Sequence, residues 1–207
     1  EFIRLGNDLW LSDPSAPHEE KPQWTPIGGI TYKIGDDQWD YRVDTTFFRG
    51  NFDGGDFHIY NLYYNTLPDM SDWDDPFGSG AIDFNGWYKA MFGCLEGGSI
   101  KNLHLVNDTI IGAADVAGLL IINDGGTISG CTVSGFIISG SDATGGSAGG
   151  LVGKNINGGV IENCSSAADV KSPRGSGCLV SNNDGIIRDC SASGKAHCSQ
   201  YYVGGLV

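Results

Sequence analysis

Basic residues are scarce in this sequence of 207 residues, which has 12 Lys and Arg against 25 Asp and Glu and a net charge of −13. This shortage disfavours nucleic acid as a partner, because phosphate backbones are bound through clustered Lys and Arg. An anionic membrane surface is disfavoured for the same reason. Glycans, proteins and divalent cations remain compatible with an acidic chain.

Long hydrophobic runs are also missing. No stretch approaches the roughly 20 apolar residues of a membrane-spanning helix, so we expect no membrane insertion by this segment. Cys-x-x-Cys pairs are absent, although the chain has six cysteines. Charged residues make up only 18%, whereas there are 33 Gly, about twice the average share. This composition is typical of many short strands joined by tight turns.

The enzyme motifs that the sequence suggests are incomplete. "HEEKP" at 18–22 begins like the zinc motif H-E-x-x-H, but Pro22 stands where the second His belongs. "AGGLVGKN" at 148–155 resembles a phosphate-binding loop, but Ala148 replaces the first Gly and Asn155 replaces Ser or Thr. We therefore predict no catalytic residue and no enzymatic activity.

An internal repeat is the main feature that is present. Several segments end in one pattern: an Ile, any residue, then Asn, Gly or Asp, then Leu or Cys. They cover 52–62, 93–103, 122–131, 155–164 and 182–190, and end at Leu62, Leu103, Cys131, Cys164 and Cys190. "VGGLV" at 203–207 resembles the start of another unit, so we expect the segment to be part of a longer repeat array.

Short alternating apolar stretches separated by Gly and Asn turns predict stacked β-strands. Alternation turns every second side chain inward, and Gly, Asn and Asp tolerate the positive φ of tight corners. One unit cannot bury its apolar face alone, whereas stacked units share a core. Strands stacked unit on unit run parallel, and parallel crossovers are mostly right-handed. The predicted fold is all-β, a right-handed parallel β-helix (β-solenoid) of about five to six coils with irregular inserted loops.

We predict a single domain over 1–207. Its parts are N-terminal coils over 1–64 with an insertion at 30–46, an inserted acidic and aromatic loop at 65–90, and repeats over 91–207 with the last incomplete. The insertions are assigned where the repeat pattern is lost.

The unit-ending residues share one repeat position, so they are predicted to form an inward column. Its members are Leu62, Leu103, Cys131, Cys164 and Cys190. Free Cys packs as a small hydrophobic residue, so we expect reduced thiols in place of leucine. A disulfide between stacked positions about 4.8 Å apart remains an alternative. The preceding residues, Asn61, Asn102, Asn163 and Asp189, are predicted to form a second column at a corner.

"GGLVGKNINGGVIENCSSA" at 149–167 resembles the GLUG repeat, a module of bacterial surface proteins. Residues 117–135 and 176–194 match the repeat in part, and 24–29 with 48–65 resemble the segment that precedes such repeats. The resemblance implies a secreted or cell-surface β-solenoid. It is shared by adhesins and by accessory regions of immunoglobulin A-cleaving metallopeptidases, in which the repeats do not carry the zinc site.

Loops that project from a solenoid are the expected place for ligand binding. The candidate ligand-binding residues are Trp39, Trp73, Trp87, Tyr88, Asp72, Asp74 and Asp75. Aromatic faces beside carboxylates suit sugar stacking and hydrogen bonds to hydroxyls. Asp69, Asp72, Asp74 and Asp75 are also a candidate Ca²⁺ site, since Ca²⁺ takes oxygen ligands, although their spacing matches no EF-hand. No other cofactor is expected. The alternative to a binding role is that these loops form a hydrophobic flap, with solvated acids, over one side of the solenoid.

The leading functional hypothesis is a non-enzymatic extracellular bacterial β-solenoid, located outside the cell or on its surface. It would act as a structural or adhesin-like module and bind a host or bacterial surface glycan or protein through loops 31–46 and 65–90. The alternative is a carbohydrate-active β-helix, either a polysaccharide lyase or a glycoside hydrolase, because glycosidases use paired carboxylates. The bases of the repeat region fall at different repeat positions, which argues against a catalytic row.

Overall fold

The computed structural model describes residues 2–17, 20–34, 41–65, 88–140 and 146–207. Across these ranges the regular elements are β-strands and none is an α-helix. The all-β prediction is therefore confirmed.

The strands are short and follow one another closely. In chain order they are β1 Phe2–Arg4, β2 Leu9–Trp10, β3 Gly29–Ile34, β4 Tyr41–Phe48, β5 Asn51–Tyr60, β6 Tyr63–Asn65, β7 Phe92–Glu96, β8 Ser99–Gly112, β9 Val116–Ala117, β10 Leu120–Asp124, β11 Thr127–Ser129, β12 Thr132–Ser139, β13 Ser147–Gly149, β14 Val152–Ile156, β15 Val160–Glu162, β16 Ser165–Ser172, β17 Gly175–Gly177, β18 Val180–Asn183, β19 Ile186–Arg188, β20 Ser191–Ala192, β21 Ala196–Cys198 and β22 Tyr202–Gly204.

The described strands form three sheets, in which almost every pair is parallel. Sheet A has the path β19-β15-β11-β8-β12-β16-β20, with β1, β2, β5, β6 and β21 beside it. Sheet B has the order β18-β14-β10-β7-β4-β3, and sheet C has the order β22-β17-β13-β9. From β7 onward the chain visits sheet B, sheet A and sheet C in that order and then begins again. The predicted parallel stacking of strands is confirmed.

The core lies between the sheets and is built from columns of equivalent residues. One column contains Ile3, Phe52, Ile100, Ile128, Ile161 and Ile187, which are register partners on β1, β5, β8, β11, β15 and β19. The central members Ile100, Ile128 and Ile161 are fully buried. The units that carry Ile100, Ile128 and Ile161 therefore bury these isoleucines against one another, and apolar burial of this kind is the main stabilising contribution to folding.

A sharp corner in sheet A follows each member of this column from Phe52 to Ile187. The residues at this corner have a left-handed backbone: Asp56, Asn102, Gly130, Asn163 and Asp189, with φ of 60°, 51°, 63°, 52° and 52°. Asn, Asp and Gly reach this region at the lowest steric cost. The repeated Asn, Asp or Gly of the sequence pattern is thus required by the backbone.

The predicted column of unit-ending residues has one wrong member, Leu62. Phe57 is the register partner of Leu103, whereas the Leu62 amide donates to the Asp108 carboxylate at 3.2 Å. The register of β5 against β8 shifts between Asp53 and Phe57, where the chain inserts extra residues. Leu62 is still buried, but it lies further along the strand than the repeat pattern predicts.

The segment predicted as an irregular insertion, 31–46, contains regular structure. Strands β3 and β4 pair antiparallel, from Gly29 with Thr46 to Ile34 with Tyr41. The pair continues sheet B, because β4 also pairs with β7. This hairpin is an exception to the parallel arrangement of the described strands.

Candidate functional site

Most of the predicted binding residues lie outside the described residues. These are Trp39, Trp73 and Trp87 with Asp69, Asp72, Asp74 and Asp75. Tyr88 is described; it is half-buried and packs against a small cluster of Ala90, Ala117 and Ile121.

A row of aromatic rings lies on the outer face of sheet A, and we call it the ring row. Trp10 stacks on Tyr60 with centroids 4.9 Å apart and an interplanar angle of 12°. Tyr60 stacks on His58 at 5.7 Å, and His58 lies 5.0 Å from His104. Trp10 is 68% exposed, so one end of the row is open to solvent. The rings come from β2, β5 and β8, and only their pairing brings them together.

Two carboxylates flank the histidines of the ring row. Asp8 lies 3.6 Å from His58 Nδ1, and Asp56 lies 3.8 Å from His104 Nε2. Burial, followed by the neighbouring His58, lowers the pKa of His104. Both effects favour the neutral form of His104. Within the described ranges no three His, Cys, Asp or Glu side chains are grouped so that they could hold a metal ion.

The second surface feature starts at the turns that connect sheet C to sheet B. Leu151 and Leu179 lie at these turns and are fully buried. A Cβ added at Gly149 would collide with the Val152 carbonyl oxygen, so the chain here folds closely on itself. Because the leucine points inward, the two flanking strands leave a groove on the outside.

The floor of this groove changes along the units. Ala117 and Ile121 fill it in one unit, and the register places Gly149 and Gly153 at the same positions in the next. The third unit has Gly177 and Ser181 there. Ser181 is among the residues that line a groove of about 740 Å³, together with Ser147, Lys154, Arg174, Gly175, Asn182, Asn183, Tyr201, Tyr202 and Val207. We call it the outer groove.

One end of the outer groove is bridged by an ion pair. Lys154 Nζ on β14 lies 2.7 Å from Asp115 Oδ2, and the Ser147 amide donates to the other oxygen of Asp115 at 3.0 Å. Arg174 lies beside them in the next unit, where its amide donates to the Gly146 carbonyl at 3.3 Å. It is exposed, and among the described residues its guanidinium has no ion-pair partner. The groove therefore presents one neutralised and one unpaired positive charge.

A family profile, described as the GLUG motif, matches residues 144–171. The chain contains a GLUG motif. The match begins just before β13 and ends within β16, so the GLUG motif covers one turn from sheet C through sheet B and back to sheet A. Neither a search of curated proteins nor a search of solved structures found a match.

Cys131, Cys164 and Cys190 lie at the ends of GLUG-like units and are linked from unit to unit by hydrogen bonds from backbone amides to sulfur. The Cys131 amide donates to Cys164 Sγ and the Cys164 amide donates to Cys190 Sγ, both at 3.4 Å. Each sulfur also donates to a carbonyl two residues back, as Cys164 does to Glu162 at 3.1 Å. All six cysteines of the chain are free thiols in the structure. Each of Cys131, Cys164 and Cys190 thus makes a hydrogen bond across its own left-handed corner, which a leucine side chain cannot do.

Neither surface feature was predicted from the sequence. The four residues of the ring row are spread from 10 to 104, and their side-chain types gave no motif. The sequence did carry one sign of the outer groove, because small residues, Gly153 and Ser181, stand at the repeat position that Ile121 occupies in an earlier unit.

Across the described residues there is no helix with the length and hydrophobicity needed to cross a membrane.

Proposed function

We propose that the chain is a non-enzymatic, right-handed β-solenoid that acts as an adhesive module on the outside of a bacterial cell. The ring row is the observation that carries this proposal. A purely structural stalk gains nothing from a tryptophan that is 68% exposed at the end of a stacked row. The GLUG motif and the fixed order in which the chain visits the three sheets support the solenoid, as does the prevalence of right-handed parallel crossovers.

The ring row suits a glycan ligand. Its rings are stacked, which orders them before binding and reduces the entropy lost on association. The exposed Trp10 face offers an apolar surface for a sugar ring, while Asp8 and Asp56 offer acceptors for sugar hydroxyls. The proposal extends to segments 31–46 and 65–90, whose Trp39, Trp73 and Trp87 would add contacts of the same kind.

Glycan-array screening of the purified chain tests the proposal. We expect binding to a defined set of glycans and a loss of roughly tenfold or more in affinity for Trp10→Ala. Phe136→Ala is the matched control, because Phe136 is 52% exposed and belongs to neither surface feature. Its binding should equal that of the wild type.

Two outcomes would overturn the proposal. One is equal binding by wild type and Trp10→Ala on every glycan, or no glycan binding at all. The other is the release of reducing ends or unsaturated products from polysaccharides, which would replace the adhesive function with an enzymatic one.

A further inference from the structure

We propose that the outer groove is a second binding site and that its ligand is an acidic saccharide, a sugar chain bearing carboxylates. The proposal goes beyond the adhesive function above and depends on different residues, at the opposite end of the stacked units. Three successive units contribute to the groove, through Ser147 and Lys154, then Arg174 and Ser181, then Tyr202. The groove therefore runs along the stack and accommodates an extended ligand.

Local charge indicates an anionic ligand. The chain as a whole carries −13, yet none of the residues that line the outer groove is acidic. Asp115 at its end is largely buried, with 13% of its side chain exposed, and is already engaged by Lys154 and the Ser147 amide. Arg174 is thus an uncompensated guanidinium, and its planar donors match a carboxylate in a bidentate pair.

Two tyrosines beside this guanidinium indicate a sugar. Tyr201 and Tyr202 are 64% and 79% exposed, and their ring centroids lie 6.2 Å apart. The Tyr202 amide donates to the Arg174 carbonyl at 3.1 Å, so the backbones of these two residues are paired, and both side chains line the same groove. An inorganic anion would need Arg174 alone, whereas a sugar acid uses both the charge and the aromatic faces.

Small polar side chains complete the lining. The Ser181 hydroxyl donates to the Gly175 carbonyl at 3.2 Å, which leaves its oxygen available as an acceptor. Asn182 is exposed next to it and offers an amide donor and acceptor. A volume of about 740 Å³ lies within the usual range of ligand sites, about 300–1,000 Å³.

Calorimetric titration of the whole chain with a galacturonic acid trisaccharide tests this inference. We expect binding that weakens with added salt, and no comparable binding of a neutral galactose trisaccharide. Arg174→Gln and Tyr202→Ala should each weaken binding by roughly tenfold or more. Arg174→Lys keeps the positive charge but loses the planar pair of donors that binds a carboxylate, so its affinity should lie between those of wild type and Arg174→Gln.

Matched controls show whether the outer groove itself holds the acidic trisaccharide. Arg188→Gln removes one positive charge on sheet A, outside the groove, and should bind like the wild type. Trp10→Ala should also retain the acidic trisaccharide, so failure of the ring row and failure of the groove are distinguishable. Equal binding of the neutral sugar, undiminished binding by Arg174→Gln, or binding of inorganic phosphate as tight as that of the trisaccharide would each overturn the assignment.

Discussion

Asn123 Nδ2 donates a hydrogen bond to Asn155 Oδ1 at 2.7 Å, although the two residues are 32 positions apart in the chain. Asn155 makes the same bond to Asn183, also at 2.7 Å. Each amide donates in addition to a carbonyl of its own turn, that of Gly126 for Asn123 and that of Gly159 for Asn155. Asn123 and Asn155 are fully buried, so this amide column joins successive units inside sheet B.

Asn155→Leu should destabilise the chain, even though Leu95 occupies the equivalent position two units earlier. Asn123 Nδ2 would keep the Gly126 carbonyl but lose Asn155 Oδ1, and both Asn183 Oδ1 and the Gly159 carbonyl would lose their donor. Buried polar groups left unpaired cost about 1–3 kcal/mol each, so we expect a loss of about 2–4 kcal/mol. Urea denaturation followed by circular dichroism measures it.

Asn182→Leu is the control for this change, because its side chain is exposed and next to Asn183. Its unfolding free energy should change by less than about 0.5 kcal/mol. Equal stability of Asn155→Leu and wild type would show that the amide column contributes nothing to the fold.

Gly159→Ala should destabilise the chain through the same column. An added Cβ at Gly159 would lie 2.6 Å from Asn123 Nδ2, so the stacked amides would have to move. Overpacking of this kind costs about 1–3 kcal/mol. The neighbouring Gly158 has φ of 76° and open space around a Cβ, so Gly158→Asn should be nearly neutral in the same denaturation assay. Similar losses at both positions would contradict the prediction.

Asp108→Asn should stabilise the chain at neutral pH. Asp108 is fully buried, and burial raises its pKa well above the ordinary value, opposed by the hydrogen bond from the Leu62 amide. Its raised pKa means that the folded state holds the proton more tightly than the unfolded state. The resulting stability is greatest below about pH 4 and is lost as pH rises towards the folded-state pKa.

The asparagine variant keeps the acceptor for Leu62 and removes the titration. The difference in unfolding free energy between Asp108→Asn and wild type should therefore grow as pH rises from about 4 to 7. Thermal melts across this range measure it, with the exposed Asp184→Asn as control. Parallel pH profiles for Asp108→Asn and wild type would be inconsistent with a buried, protonated carboxyl.

Thiol reactivity should follow burial. Burial raises the pKa of Cys94 to about 11, helped by the nearby Asp124, and burial also raises the pKa of Cys131. Alkylation of native protein should therefore reach Cys198 and Cys190, which are only half-buried, well before Cys94 and Cys131. Peptide mass spectrometry after timed iodoacetamide treatment gives the order, and labelling in urea should be equal at all sites. Early modification of Cys131 would refute this order.

Repetition is what made parts of the fold predictable. The repeated Ile and the Asn, Asp or Gly after it predicted parallel stacked strands, because one local geometry recurs at each unit. Leu62 was misplaced because Ile59, Asn61 and Leu62 reproduce the unit-ending pattern, and Asn61 does have a positive φ, at 58°. The extra residues between Asp53 and Phe57 shift the register, and no local pattern reveals such a shift.

The surface features depend on contacts between distant strands, which the sequence does not specify locally. His58 and His104 meet only because β5 and β8 pair in one particular register. The amide column could not be recognised from the sequence for the same reason. Asn123 and Asn155 precede turns and look like ordinary turn residues. Their stacking follows from the register in which β10 pairs with β14 and β14 with β18.

The stacking of Cys131 on Cys164 has an evolutionary consequence. These equivalent positions are 33 residues apart, so a tandem duplication of 131–163 would insert one whole unit and leave every neighbouring pairing unchanged. A gene that encodes such a chain can lengthen or shorten by recombination between its own units, with each product able to fold. The length of the stack would then vary among relatives in steps of one unit, while the surfaces at either end of the stack stay intact.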